Sequence, residues 1–189
     1  MPELRVNGVR LHYEVRGPED GEWLILNNGV FMSTGSWAFQ LPDLVRRYRV
    51  LAYDMRGQGA SEHPEGEYSL DLHAADLVAL MDALGIGRAH LVGTSYGGEL
   101  NLVMGLRFPE RCRSLVIITS VSHSDPLCAA MVERWRLAAP RGAGPAPFRL
   151  THAARYPSAF LTRRPAFPPT ASTPSPPLYL SAARHPPAP

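Results

Sequence analysis

Lysine is missing from this 189-residue sequence, so all 19 of its basic side chains are arginine. Cysteine is nearly missing too. Cys112 and Cys128 are the only two, and they form neither a metal-ligand spacing nor a disulfide framework, so they read as structural thiols. No run approaches the ~18 apolar residues that a membrane span needs, and Met1–Asn7 lacks the apolar core of a secretory leader. The expectation is a cytoplasmic protein that does not engage a membrane. Acidic residues are absent from residues 134–189, which hold eight arginines, whereas residues 1–133 hold 11 arginines and 17 acids. The formal charge of +2 therefore hides an acidic body and a basic tail. A basic stretch can serve as an arm for nucleic acid or a membrane surface. These arginines are scattered among prolines rather than clustered, so no nucleic-acid partner is expected.

What is present in residues 1–133 is an alternation of strand and helix patterns. Leu4–Asn7 and Val9–Arg16 flank Asn7-Gly8, a hairpin turn signal. Trp23–Asn27 is a short apolar run suited to a buried strand. Trp37, Leu41, Leu44, Val45 and Tyr48 recur at the spacing of one helical face, and Arg49–Asp54 is the next strand. Leu70, Leu77, Leu80, Met81 and Leu84 predict a second helix, stopped by Gly85, with Asp71 favourably placed in its first turn. Ala89–Thr94 is a strand, Tyr96–Arg107 a helix ended by Pro109, and Arg113–Ser120 a sixth strand. Such alternation implies right-handed crossovers. The expected fold is α/β, with a mostly parallel sheet of about six strands, begun by an antiparallel N-terminal hairpin and flanked by helices.

Past Ala139 the composition changes. Thirteen of the 19 prolines fall in residues 140–189. Proline at this density removes backbone donors and blocks helix interiors. The domain division expected is therefore a folded body at 1–139 and a Pro/Arg/Ala-rich tail at 140–189. Lysine-free, arginine-rich sequence implies a GC-rich gene, and such DNA read out of frame yields mostly Ala, Pro, Arg and Gly. Two origins stay open for the tail: a shift of reading frame within residues 138–165, or a genuine disordered segment. Pro-Ser-Pro-Pro at 174–177 also has the P-x-x-P spacing of polyproline ligands.

The chemistry centres on Gly93-Thr94-Ser95-Tyr96-Gly97-Gly98. This G-x-S-x-G pattern follows an apolar strand and opens an amphipathic helix, the setting of a nucleophile elbow. A strand that turns abruptly into a helix forces the serine into strained backbone and crowds its neighbours, so glycine is required at 93 and 97. The serine hydroxyl is thereby presented at the carboxyl edge of the sheet, beside the positive end of a helix. A second phrase, Asp54-Met55-Arg56-Gly57-Gln58-Gly59-Ala60-Ser61, follows the fourth strand. A third, Asn27-Asn28-Gly29-Val30-Phe31, follows the third strand, with Trp37 a little further on.

Together the DxRGxGxS phrase, the helix after it and the G-x-S-x-G elbow resemble the α/β-hydrolase fold superfamily. Asn28-Gly29, where many members carry His-Gly, resembles its 3-oxoadipate enol-lactonase-like branch. The likeness runs from Trp23 to about Arg136. It implies that Ser95 is the nucleophile and that the backbone N–H groups of Val30 and Tyr96 form the oxyanion hole. It also implies that Asp54 and Arg56 shape a loop rather than react. A serine at the elbow excludes the aspartate chemistry of haloalkane dehalogenases and epoxide hydrolases. What the resemblance implies is acyl chemistry on carboxylic esters or lactones, with a small-molecule substrate, no metal and no organic cofactor.

In that family the chain order is nucleophile, acid, histidine, with the last two following strands seven and eight. Only six strands are recognisable here and the acids end at Glu133, so the hydrolase fold is expected to be incomplete and the sixth strand to be an edge. Asp125 and His123 stand shortly after the sixth strand as pocket residues or a substitute acid and base. His152 and His185 sit in or near the proline-rich stretch, and His12, His63, His73 and His90 fall where core or solvated histidines are usual. The leading expectation is a serine-dependent ester or lactone hydrolase that lacks an identifiable acid and histidine and is inactive in this form. The alternative is a non-catalytic protein of the same fold that binds a small molecule in the old pocket.

Overall fold

The computed structural model describes residues 2–138, apart from the side chains of Leu127 and residues 134–138. The proline-rich segment at 140–189, the P-x-x-P phrase at 174–177, His152 and His185 lie outside the described residues. Two compact units divide the chain, one built on Met1–His123 and the other beginning at Ser124.

In the first unit, β1 (Glu3–Val6) and β2 (Val9–Arg16) pair antiparallel. Asn7 and Gly8 join them with φ of 46° and 74°, the left-handed pair of a type I′ turn, whose twist matches that of the strands. The remaining strands are β3 (Glu22–Asn27), β4 (Tyr48–Tyr53), β5 (Ala89–Thr94) and β6 (Cys112–Ile118). They complete a six-stranded sheet in the order β1-β2-β4-β3-β5-β6. β4 runs antiparallel to β2, while β3, β4, β5 and β6 are mutually parallel. The carboxyl ends of these four strands therefore share one edge, and the chemistry is assembled there.

Side chains alternate across the sheet. Ile25, Leu51 and Leu91 pack on one face with α2 (Leu70–Ala83) and α3 (Tyr96–Arg107). Leu24, Leu26 and Val50 pack on the other face with Trp37 and Leu41. Both ends of α2 are closed, the C-terminal one at the Gly85 stop that its sequence predicts. Ser69 Oγ accepts the N–H of Leu72 at 3.1 Å. Gly85 turns the chain at φ 68°, and Ile86 N–H returns to Met81 O at 2.8 Å.

The helix read into Trp37–Tyr48 needs correction. The chain there forms a 3₁₀ turn at Thr34–Trp37 and one short helix, α1 (Leu41–Leu44), and Tyr48 already opens β4. The apolar spacing was met by separate short pieces over one sheet face, because tertiary packing needs apolar contacts and not a continuous helix.

β6 is the outermost strand among the described residues. Its Val116, Ile117 and Ile118 are 40–45% exposed, whereas Leu91 on neighbouring β5 is fully buried. Among the described residues β6 is therefore an edge.

In the second unit, α4 (Pro126–Ala138) starts behind Asp125. The Asp125 carboxylate accepts the Cys128 N–H at 2.8 Å, and Asp125 O accepts that of Ala129 at 2.9 Å. Asp before Pro at a first helical position is ordinary N-cap chemistry. None of the helices among the described residues is long and apolar enough to cross a membrane.

Candidate active site

Ser95 joins β5 to α3 with φ 53° and ψ −121°, a backbone conformation that L residues avoid. Close packing enforces it. A β-carbon on Gly93 would overlap the Gly97 carbonyl, and one on Gly97 would overlap Asn27 O and lie 2.7 Å from Asn28 O. The requirement for glycine at both positions, expected from the motif, is therefore a backbone-on-backbone contact between the elbow and the end of β3.

β6 holds the elbow from the other side. Ser95 N–H donates to Ile118 O at 2.9 Å, and Ser120 Oγ donates to Ser95 O at 2.8 Å. Thr119 between them has φ 47°. Ser120 carries no motif signal and was not singled out from sequence. Nor was the buried amide network beneath the elbow. There Asn27 Nδ2 donates to Asn101 Oδ1 at 2.7 Å, Tyr53 Oη donates to Asn27 Oδ1 at 2.9 Å, and Asn101 Nδ2 reaches Leu91 O and Val116 O, each at 3.2 Å. Burial raises the Tyr53 phenol pKa, which keeps it a donor.

Serine at a helix N-cap usually caps with its own oxygen. Ser95 makes no side-chain cap bond, so the hydroxyl stays free of the helix it begins. The loop after β3 comes up against it, and a β-carbon on Gly29 would lie 3.3 Å from Ser95 Cβ. Among the described residues neither Val30 N–H nor Tyr96 N–H donates to a protein acceptor. Asn28 is fully buried and anchors this loop. Its Nδ2 donates to Tyr53 O at 3.0 Å, and its Oδ1 accepts Trp37 Nε1–H at 2.8 Å. That bond is the physical reason for the Trp37 spacing noted in the sequence.

Asp54 and Arg56 act as scaffolding. Asp54 accepts Thr34 N–H at 2.7 Å and Ala60 N–H at 2.9 Å. Arg56 pairs with buried Asp76 through two 2.7 Å bonds and reaches Asn7 O at 3.1 Å, joining the hairpin to α2.

His73 is buried and shares a 2.9 Å hydrogen bond between Nδ1 and the Tyr96 hydroxyl. Its ring also stands edge-on to Tyr68 and Tyr96. Burial lowers its pKa from 6.5 to about 4. The unfolded imidazole binds a proton between these values and the folded one does not. This contribution to stability is therefore complete above pH 6.5 and disappears as pH falls towards 4, an effect on the order of 3 kcal/mol. His73→Gln should flatten the fall in melting temperature between pH 7.5 and 4.5. An unchanged fall would assign the acid sensitivity to other groups.

Of the residues proposed to react, the fold brings Ser95, Val30 and Tyr96 to one edge. Among the described residues it brings no base to them. His123 is exposed in the bend after β6 and makes no hydrogen bond among the described residues. The Asp125 carboxylate belongs to the cap of α4, as described above. Among the described residues no histidine or carboxylate is hydrogen-bonded to Ser95 Oγ.

Comparison with known proteins shows what the chain is similar to. Residues 22–170 match the family described as alpha/beta hydrolase fold. RutD of Caulobacter segnis, named provisionally as a carbamate hydrolase, is 42% identical over 118 residues, covering 60% of this chain and 44% of its own. The 2-hydroxymuconate semialdehyde hydrolase of a Pseudomonas strain is 39% identical over 135 residues, covering 70% of this chain and 48% of its own. Among solved structures, the enol-lactonase from Burkholderia xenovorans superposes with a TM-score of 0.76 at 30% identity, covering 87% of this chain and 63% of that one. The chain spans less than half the length of the two curated relatives.

Proposed function

Because the chain belongs to the α/β hydrolase fold family, we propose that it carries the nucleophile and oxyanion hole of a serine-dependent hydrolase acting on carboxylic esters or lactones. The observation that carries this reading is the left-handed Ser95 elbow with its hydroxyl uncapped, and the undonated N–H groups of Val30 and Tyr96 support it. Ser95 Oγ attacks the substrate carbonyl carbon while a base removes its proton. The carbonyl oxygen becomes an oxyanion held by Val30 N–H and Tyr96 N–H, each worth roughly 2.7–4 kcal/mol. Collapse expels the alcohol or enol and leaves an acyl group on Ser95, which water then removes. No metal and no organic cofactor enters this scheme. The substrate is a small molecule met in the cytoplasm.

The base is assigned to no described residue, and this favours a second reading, a small-molecule binding protein of the same fold. One experiment separates the two. Residues 1–123 are joined to the C-terminal portion of the Pseudomonas hydrolase, the part of the chain where the fold order nucleophile, acid, histidine puts the last two. The expected result is turnover of short p-nitrophenyl esters. A cooperatively folded chimera without turnover would favour the binding protein.

A further inference from the structure

The DxRGxGxS phrase contains one side chain that its scaffolding role leaves unexplained. Gln58 is nine-tenths buried, and its Nε2 donates to Gly29 O at 3.2 Å. Its Oε1 has no partner among the described residues. A rotated amide would set that oxygen against the Gly29 carbonyl, so the donor must face the loop.

Gly29 O and Val30 N–H belong to the same peptide unit. In a trans peptide the carbonyl and the N–H point in opposite directions, so whatever holds the first aims the second. Two donors hold it: Gln58 Nε2 and Met32 N–H, each at 3.2 Å. The Met32 bond closes a tight turn with Phe31 at φ 63°, a position that suits glycine and strains phenylalanine. Such a turn has a competing form with its central Val30–Phe31 peptide reversed, so the strained backbone beside Gly29 O needs outside contacts to keep one orientation. Gln58 comes from a rigid place. Asp54 fastens its loop through Thr34 and Ala60, and Gln58 N–H itself returns to Met55 O at 2.9 Å.

We propose that Gln58 is a positioning residue which fixes the Gly29–Val30 peptide with its N–H facing Ser95. The inference rests on the oxyanion reading for its catalytic meaning, but the peptide orientation is measurable without any turnover. Gly-Val occurs twice in the chain, at Gly8-Val9 and Gly29-Val30. The full chain labelled with ¹³C-carbonyl glycine and ¹⁵N-valine should thus show two carbonyl–amide correlations, and the hairpin peak serves as an internal reference.

Gln58→Met removes the donor at similar length, and Gln58→Glu puts an ionised acceptor where the donor was. Both should shift or split the Gly29–Val30 peak and leave the Gly8–Val9 peak in place, with the larger displacement for Gln58→Glu. In the unsubstituted chain, the Gln58 side-chain amide protons should show a nuclear Overhauser contact to the Gly29 α-protons. Unmoved peaks in folded variants, or the absence of that contact in the unsubstituted chain, would overturn the proposal and leave the assignment of Ser95 untouched.

Discussion

Ser95→Ala in the ester-hydrolysing chimera should lower kcat for p-nitrophenyl acetate by about 10⁴- to 10⁶-fold while KM changes little. The reason lies in what the substitution removes and what it spares. Without Oγ no acyl-enzyme forms, and the base has no proton to take. The two backbone N–H groups proposed as donors survive, because they belong to Val30 and Tyr96 and because the elbow is set by Gly93, Gly97 and β6. Residual catalysis over water should therefore persist, from the proposed oxyanion hole and substrate binding alone. Stability should change little, since the Ser95 side chain caps nothing. A rate in Ser95→Ala close to that of the parent chimera would remove Ser95 from the mechanism.

The second large effect concerns folding. Gly97→Ala in the full chain should destabilise it by at least about 3 kcal/mol, above the usual range for one added methyl in a packed core. The added carbon would meet Asn27 C at 2.5 Å and Asn28 O at 2.7 Å. These are backbone atoms at and just past the end of β3, and they cannot turn aside as a side chain could. The melting temperature should fall by roughly 6–12 °C for a chain of this size. Gly87→Ala is the control, since its new carbon would have nothing within 4 Å and should leave the melt within about 0.5 kcal/mol of the parent. Equal effects at the two glycines would mean that the elbow is looser than its geometry states.

The sequence alone determined a good deal of this protein. Asn7-Gly8 specified the hairpin because only a few residue types accept consecutive left-handed conformations. The apolar runs at β3 and β5 specified buried parallel strands. G-x-S-x-G specified the elbow because a strand that turns straight into a helix leaves no room for side chains at Gly93 and Gly97. These signals are local, so they are written in adjacent residues. The tertiary structure decided the rest. Trp37, Leu41 and Tyr48 share a helical period, yet they serve a 3₁₀ turn, a short helix and a strand, because packing rewards contacts and is indifferent to their continuity. Asp125 could be read as a pocket residue or a substitute acid, and only the structure bonds its carboxylate to Cys128 N–H. Ser120 and Asn101 had no sequence signal, and Gln58 fills an unspecified position of its phrase. Their bonds to Ser95 O, Asn27 and Gly29 O join segments far apart in sequence, and such bonds exist only once the sheet has brought its strand ends to one edge.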